Sequence, residues 1–119
     1  MAETVPPVAL SSEKDVRIVE FTSPKIIDEL SISDIGQSLA ALIDERPMPK
    51  LLLDFSRVDH LSSAALGMLI NVNTRIKAKN GQLRLAQIKP QIYEVFQITN
   101  LYKLFYIHPT RKEALASFT

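Results

Sequence analysis

The chain has 119 residues, 46% apolar and 23% charged, with 14 Lys and Arg against 13 Asp and Glu for a formal charge of +1. Such a length and composition describe one globular domain with room for a real core. The near-neutral charge offers no field for nucleic acid or an anionic membrane. The lack of Cys excludes disulfides, thiolate metal sites and Cys nucleophiles, and no window reaches the apolar length of a membrane span.

Residues 1–119 read as a single domain of cytoplasmic type, with 1–5 expected to be poorly ordered. The start, Met1 to Pro7, has an early acid and two prolines but no long apolar stretch, so it is not a signal peptide. Val5 to Leu10 is a candidate edge strand, since Pro6 and Pro7 cannot donate to a central ladder. Ser11-Ser12-Glu13-Lys14-Asp15 is a polar turn into Val16–Phe21, whose β-branched and aromatic residues predict a strand and hence an N-terminal hairpin. Ile32, Ile35, Leu39, Leu42 and Ile43 recur at helical spacing, with Ser31 or Ser33 as the cap and Pro47 and Pro49 as the stop. Leu51 to Phe55 is an apolar run suited to a strand covered on both faces. Ser63 to about Lys79 reads as a second helix, closed by Asn80-Gly81. Leu83 to Ile88 is the next strand, Lys89-Pro90 opens a helix with Ile92, Val95 and Phe96 on one face, and Leu104 to Ile107 is a short strand. Thr110-Arg111-Lys112-Glu113 has the form of a capping box before a last helix through Leu115 and Phe118. After the hairpin, strands and helices alternate. That order argues for an α/β fold on a mostly parallel mixed sheet of about five strands.

The junction Ser62-Ser63 joins the buried strand to the second helix, where hydroxyls cap free N–H groups and the helix dipole favours added negative charge. At roughly 100° per residue, Ala65, Leu69, Val72 and Ile76 face the sheet, while Ser63, Gly67, Asn71, Thr74 and Arg75 fall on the far side. Ser62 projects nearer the core and suits a capping role; Ser63 is the accessible hydroxyl. Ile70 flanks the outer face and, with Met68, offers apolar grip to a partner. On the residues alone, both serines as plain caps and Ile70 as a packing residue is the more economical reading. Asp54, at the carboxyl end of the central strand, is either a solvated or loop-capping acid or a functional neighbour of the junction. His60 and His108 lack a Cys or acidic companion motif, so no metal and no catalytic role is expected, and no cofactor is implied. Lys77, Lys79 and Lys89 read as solvated surface.

The run from Leu53 through Asp54-Phe55-Ser56 to Asp59-His60-Leu61-Ser62-Ser63-Ala64-Ala65-Leu66-Gly67 resembles the signature of the STAS domain of bacterial anti-sigma factor antagonists. That pattern runs from a strand ending Asp-Leu/Phe-Ser to Asp-Ser-Ser/Thr-Gly-Leu-Gly and an apolar helix. Ser63 takes the place of the serine phosphorylated by the partner kinase, Ser62 that of the preceding Asp, Ala64 that of the following Ser or Thr, and Ala65 that of the first Gly. Val16 to Asp28 resembles the second strand and the loop ending in a functional Asp, matched by Asp28. Gly81 to Leu85 and Val95 to Leu101 resemble the later strand and the segment before the last one.

The resemblance implies a STAS-like single domain with helices packed mainly on one face, and a switch rather than an enzyme. Unmodified, such a module binds an anti-sigma factor, often a serine kinase, and frees a sigma factor. Phosphorylation at Ser63, with Ser62 as the alternative acceptor, ends the interaction, and a PP2C-type phosphatase is the implied counterpart. Asp28, Ser62, Ser63, Gly67, Ile70, Asn71 and Thr74 are the implied partner contacts, with Asp54, Ser56 and Met68 beside them. The added dianion is expected to repel an acidic partner surface and disrupt close packing. Ala65 is expected to alter how closely another backbone approaches. Two rival readings remain. One is a scaffold in a larger signalling complex whose Ser63 stays unmodified, motivated by Ser62 and Ala65. The other is a small hydrolase or nucleotide-binding protein using Ser63 or Asp54, for which the chain has no Gly-rich phosphate loop and no nucleophile elbow. Apolar surface near Ile70 is compatible with a homodimer.

Overall fold

Val8–Glu13 (β1) and Val16–Phe21 (β2) pair as an antiparallel hairpin, with Lys14 in the left-handed region at the turn (φ 56°). The computed structural model describes residues 7–118, so the part of the first-strand reading at Val5 and Pro6, and the expectation for 1–5, lie outside the described residues. The polar turn expected over Ser11–Asp15 is shorter than that. Ser11, Ser12 and Glu13 pair with Ile18, Arg17 and Val16. As β1 is open to water on nearly its whole length, it carries no apolar alternation to read.

The remaining elements are Lys25–Ile26 (β3), Glu29–Asp44 (α1), Lys50–Asp54 (β4), His60–Leu61 (β5), Ser63–Ala78 (α2), Gln82–Ala86 (β6), Pro90–Ile98 (α3), a 3₁₀ turn at Leu101–Lys103, Tyr106–His108 (β7) and Arg111–Ala116 (α4). The main sheet has the order β1-β2-β4-β6-β7 and is parallel from β2 to β7. A second, two-stranded sheet pairs β3 with β5 in parallel. Two residues are too few to leave a periodic signal, so this pair had no counterpart in the sequence reading.

Side-chain alternation divides the core. Leu51, Leu53 and Phe55 join Val19, Phe21 and Leu85 beneath α1, α2 and α3, whereas Leu52 joins Val16, Ile18 and Ala86 beneath Ala114 of α4. Full burial of each large apolar chain stabilises by roughly 1.5–3 kcal/mol relative to exposure. Three helices on one face and a short one on the other is the arrangement the resemblance implied.

Helix ends follow their own chemistry. Asp28, not Ser31 or Ser33, caps α1: its Oδ2 accepts from the Ser31 N–H at 2.9 Å. The apolar stripe begins only at Ile32, so the polar first turn was invisible to periodicity. α2 closes as expected at Asn80-Gly81, but the left-handed residue is Asn80 (φ 57°), with Gly81 N–H bonded to Ile76 O and Asn80 N–H to Lys77 O. The last strand is Tyr106–His108 rather than 104–107. Phe105 is buried through an edge-on contact with Phe96 (5.8 Å between centroids), and Leu104 is exposed.

Candidate functional site

The small β3–β5 pair builds the junction. Asp59 and His60 N–H groups both donate to Pro24 O (2.7 and 3.1 Å), and Ser62 N–H donates to Ile26 O (3.1 Å). Asp59 also pairs with Lys89 at the head of α3, whose ammonium holds that carboxyl below its usual value. The loop entering α2 is thereby fastened to the loop entering α1, and Asp28 and Ser63 lie at neighbouring helix starts.

Ser62 is the cap of α2: its Oγ accepts from Ala65 N–H and its carbonyl from Leu66 N–H, both at 3.1 Å. Those bonds leave the N–H groups of Ser63 and Ala64 outside the intrahelical ladder. Ser63 is exposed, as are Asn71 and Arg75, while Gly67 is half-buried. Thr74 is exposed too, though its hydroxyl donates to Ile70 O (3.1 Å) within the helix. Among the described residues no carboxylate or imidazole bonds the Ser63 hydroxyl.

Several expected members sit elsewhere. Ile70 is half-buried against the main core, and Met68, 9% exposed, lies beneath Gly36 among the residues lining the space between α1 and α2. Ala65 is fully buried, so its methyl group does not govern how a partner backbone approaches. Asp54 is neither solvated nor next to Ser63. Alternation along β4 sends it to the α4 face, 1% exposed, where Oδ2 accepts from Arg111 Nη2 and Nε (2.6 and 3.0 Å). Its Oδ1 does hold the following loop, accepting from Ser56 N–H at 2.8 Å. Glu20 joins this network through Arg57 and Arg111 (3.1 and 3.5 Å). Lys77 is exposed as expected, but Lys79 Nζ donates to Ile43 O at the end of α1 (3.1 Å) and Lys89 is taken by Asp59. His60 is exposed, His108 is half-buried, and the described residues contain no cluster able to hold a metal ion. No described helix is long and apolar enough to cross a membrane.

Two features had been missed. A groove of about 550 Å³ runs between α1 and α2, with Gly36, Ala40, Ala64 and Gly67 among its lining residues. Just before and within the first turn of α1, Ile27 and Leu30 are 51% and 66% exposed. Leu30 lies roughly 180° from Leu39 on a helical wheel, so the stripe that identified α1 also marks Leu30 as outward-facing.

The sequence model for the STAS domain matches residues 8–114. The Bordetella bronchiseptica protein named "Putative anti-sigma factor antagonist BtrV" is 29% identical over 93 residues, 78% of this chain and 79% of that one. An anti-sigma factor antagonist (STAS) domain protein from Planctomyces limnophilus superposes with a TM-score of 0.84 at 22% identity, over 96% of this chain and 98% of that one. The Bacillus cell fate determinant SpoIIAA, in its phosphorylated form, superposes with a TM-score of 0.69 at 17% identity, over 92% and 96%. At those identities the two structures speak for the fold.

Proposed function

This chain belongs to the STAS domain family, and from that premise we propose that it is an anti-sigma factor antagonist switched at Ser63. In the unmodified state the surface around Ser63 and Asp28 binds an anti-sigma factor that is also a serine kinase, and a sigma factor is released. The kinase transfers the γ-phosphoryl group of ATP to Ser63 Oγ. The new O–P bond replaces the bond to ADP, and the hydroxyl proton passes to a base on the kinase. The chain is the substrate of that step, not its catalyst. It works in the cytoplasm, where sigma factors act, and a PP2C-type phosphatase resets it.

The observation that carries this reading is the division of labour between two adjacent serines. Ser62 occupies the cap, and Ser63 stands exposed one residue on, beside two N–H groups outside the helical ladder. A phosphoserine there adds about −1.5 to −2 charges at pH 7. Those charges meet the positive end of α2, so the fold tolerates them while the surface changes. Ser62 in place of the family's Asp keeps the capping chemistry and removes one negative charge. The buried Ala65 leaves the docking surface untouched. Both facts favour the switch over the unmodified scaffold.

The test is incubation of the purified chain with its candidate anti-sigma kinase and ATP, followed by mass spectrometry. Phosphate on Ser63 that disappears in Ser63→Ala supports the switch. Phosphate on Ser62 alone moves the acceptor by one residue, and no phosphate on either serine favours the scaffold.

A further inference from the structure

We propose that the groove between α1 and α2 receives a single amphipathic helix of the anti-sigma partner. Its apolar face is buried against Ile27, Leu30 and the groove floor, and it carries Lys or Arg opposite Glu29. The inference rests on reading Ser63 as part of the partner-binding surface, and it names what that surface holds.

Shape comes first. The facing helix positions are small, and a Cβ added at Gly67 would meet nothing within 4 Å. No glycine of the described residues needs a positive φ, so Gly67 meets no backbone demand there. Glycine inside a helix is destabilising by roughly 0.5–1 kcal/mol relative to alanine. The groove is thus left open against the preference of α2. Between two helices there is no free strand edge to extend, so the backbone that fits is one whose hydrogen bonds are internal, a helix lying ridge into groove.

Apolar anchors come second. Ile27 and Leu30 are large and more than half exposed just before and within the first turn of α1, whose entering loop the β3–β5 pair ties to the loop before Ser63. Exposed apolar residues beside a groove are the usual anchors of a helical partner.

Charge decides the partner's sign. Among the described residues Asp28 and Glu29, at the start of α1, have no ion pair, and neither has Lys25 just before them. Farther along, Asp44 is matched by Arg75 at the other end of the groove. A partner seated at the start of α1 therefore meets net negative charge and is basic there. This reverses the electrostatic part of the expectation from sequence. A phosphate at Ser63 acts by bulk and hydration, because a helix entering the groove would have to strip water from a dianion.

The probe is the purified anti-sigma kinase of the Ser63 experiment, titrated calorimetrically with the unmodified chain and its variants. Gly67→Leu fills the groove and Leu30→Ser removes an anchor; each is expected to weaken binding at least about tenfold while the thermal transition persists. Ile98→Ser, at a position 81% exposed on α3, should bind as wild type does. Glu29→Lys should also weaken binding, and raising salt should weaken the wild-type complex. Gly67→Leu and Leu30→Ser binding within twofold of wild type would overturn the groove. Tighter binding by Glu29→Lys would overturn the basic helix. Phosphorylation of Ser63 alongside unaffected groove variants sinks the groove and spares the switch; lost binding without phosphorylation does the reverse. A wild-type chain that does not bind the kinase at all overturns both.

Discussion

Replacing Arg111 by Ala should destabilise the chain by about 3 kcal/mol, the lower end of the range for breaking a buried ion pair. Asp54 is 1% exposed and keeps only the Ser56 N–H at 2.8 Å once the guanidinium is gone. Its Oδ2 then loses both N–H donors, at 2.6 and 3.0 Å, in surroundings of low dielectric. The lower end applies because the Arg111 side chain is 35% exposed, so water can enter the vacated space. With a urea slope of about 1–3 kcal/mol per molar, the unfolding midpoint should fall by roughly 1–3 M. The double variant Arg111→Met with Asp54→Leu should recover most of the loss, since a packed apolar pair replaces a charge pair without leaving either charge orphaned. Arg75→Ala supplies the comparison: that pair with Asp44 is half exposed on both sides and should contribute only about 0–1 kcal/mol. Should Arg111→Ala cost no more than Arg75→Ala, Asp54 is not a buried structural carboxylate, and its exclusion from the docking surface is wrong.

Gly67→Ala should stabilise the chain by about 0.5–1 kcal/mol in a thermal or urea melt. Gly81→Ala should destabilise it by about 1–3 kcal/mol, because the new Cβ would lie 2.5 Å from Pro49 O and 2.7 Å from Ile76 Cγ1. An equal response at the two glycines would contradict both. Asp28→Ala should lose about 1 kcal/mol with the α1 cap, whereas Asp28→Ser keeps the cap. Partner binding lost in both variants then reports the carboxylate itself. The carboxyls of Asp15, Asp44 and Asp59 are held below the usual carboxylate range, chiefly by hydrogen bonds from Lys50, Arg75 and Lys89. Depressed folded values mean that this stabilisation is whole above the unfolded value and drains as pH falls through the folded ones. Stability should therefore hold from neutral pH to about 5 and decline below about 4, more weakly at high salt. A decline that begins above pH 6 would point to other groups.

What the sequence disclosed follows from how strongly each feature repeats. Leu51–Phe55 reads as a strand covered on both faces because five consecutive residues there are buried. The separation of Ser62 from Ser63 was legible because the wheel of α2 is anchored by Ala65, Leu69, Val72 and Ile76, all turned inward. For Asp54 the loop-capping alternative was legible but its burial was not, since a single polar residue ending an apolar strand does not say which face it joins. That depends on Arg111, 57 residues away. The same limit hid the groove. It exists only where Gly36 and Ala40 of one helix face Ala64 and Gly67 of another, and small residues leave no hydropathy signal. Leu30 was within reach of the sequence, because its angle from the α1 stripe is arithmetic.

Calorimetric titration of the anti-sigma kinase with the chain phosphorylated at Ser63, beside the unmodified chain, measures the switch itself. A working switch predicts binding at least about a hundredfold weaker after modification, roughly 2.8 kcal/mol, with the melting transition of the chain preserved. Equal affinity of the two forms would contradict it, and so would loss of binding that comes only with loss of the fold.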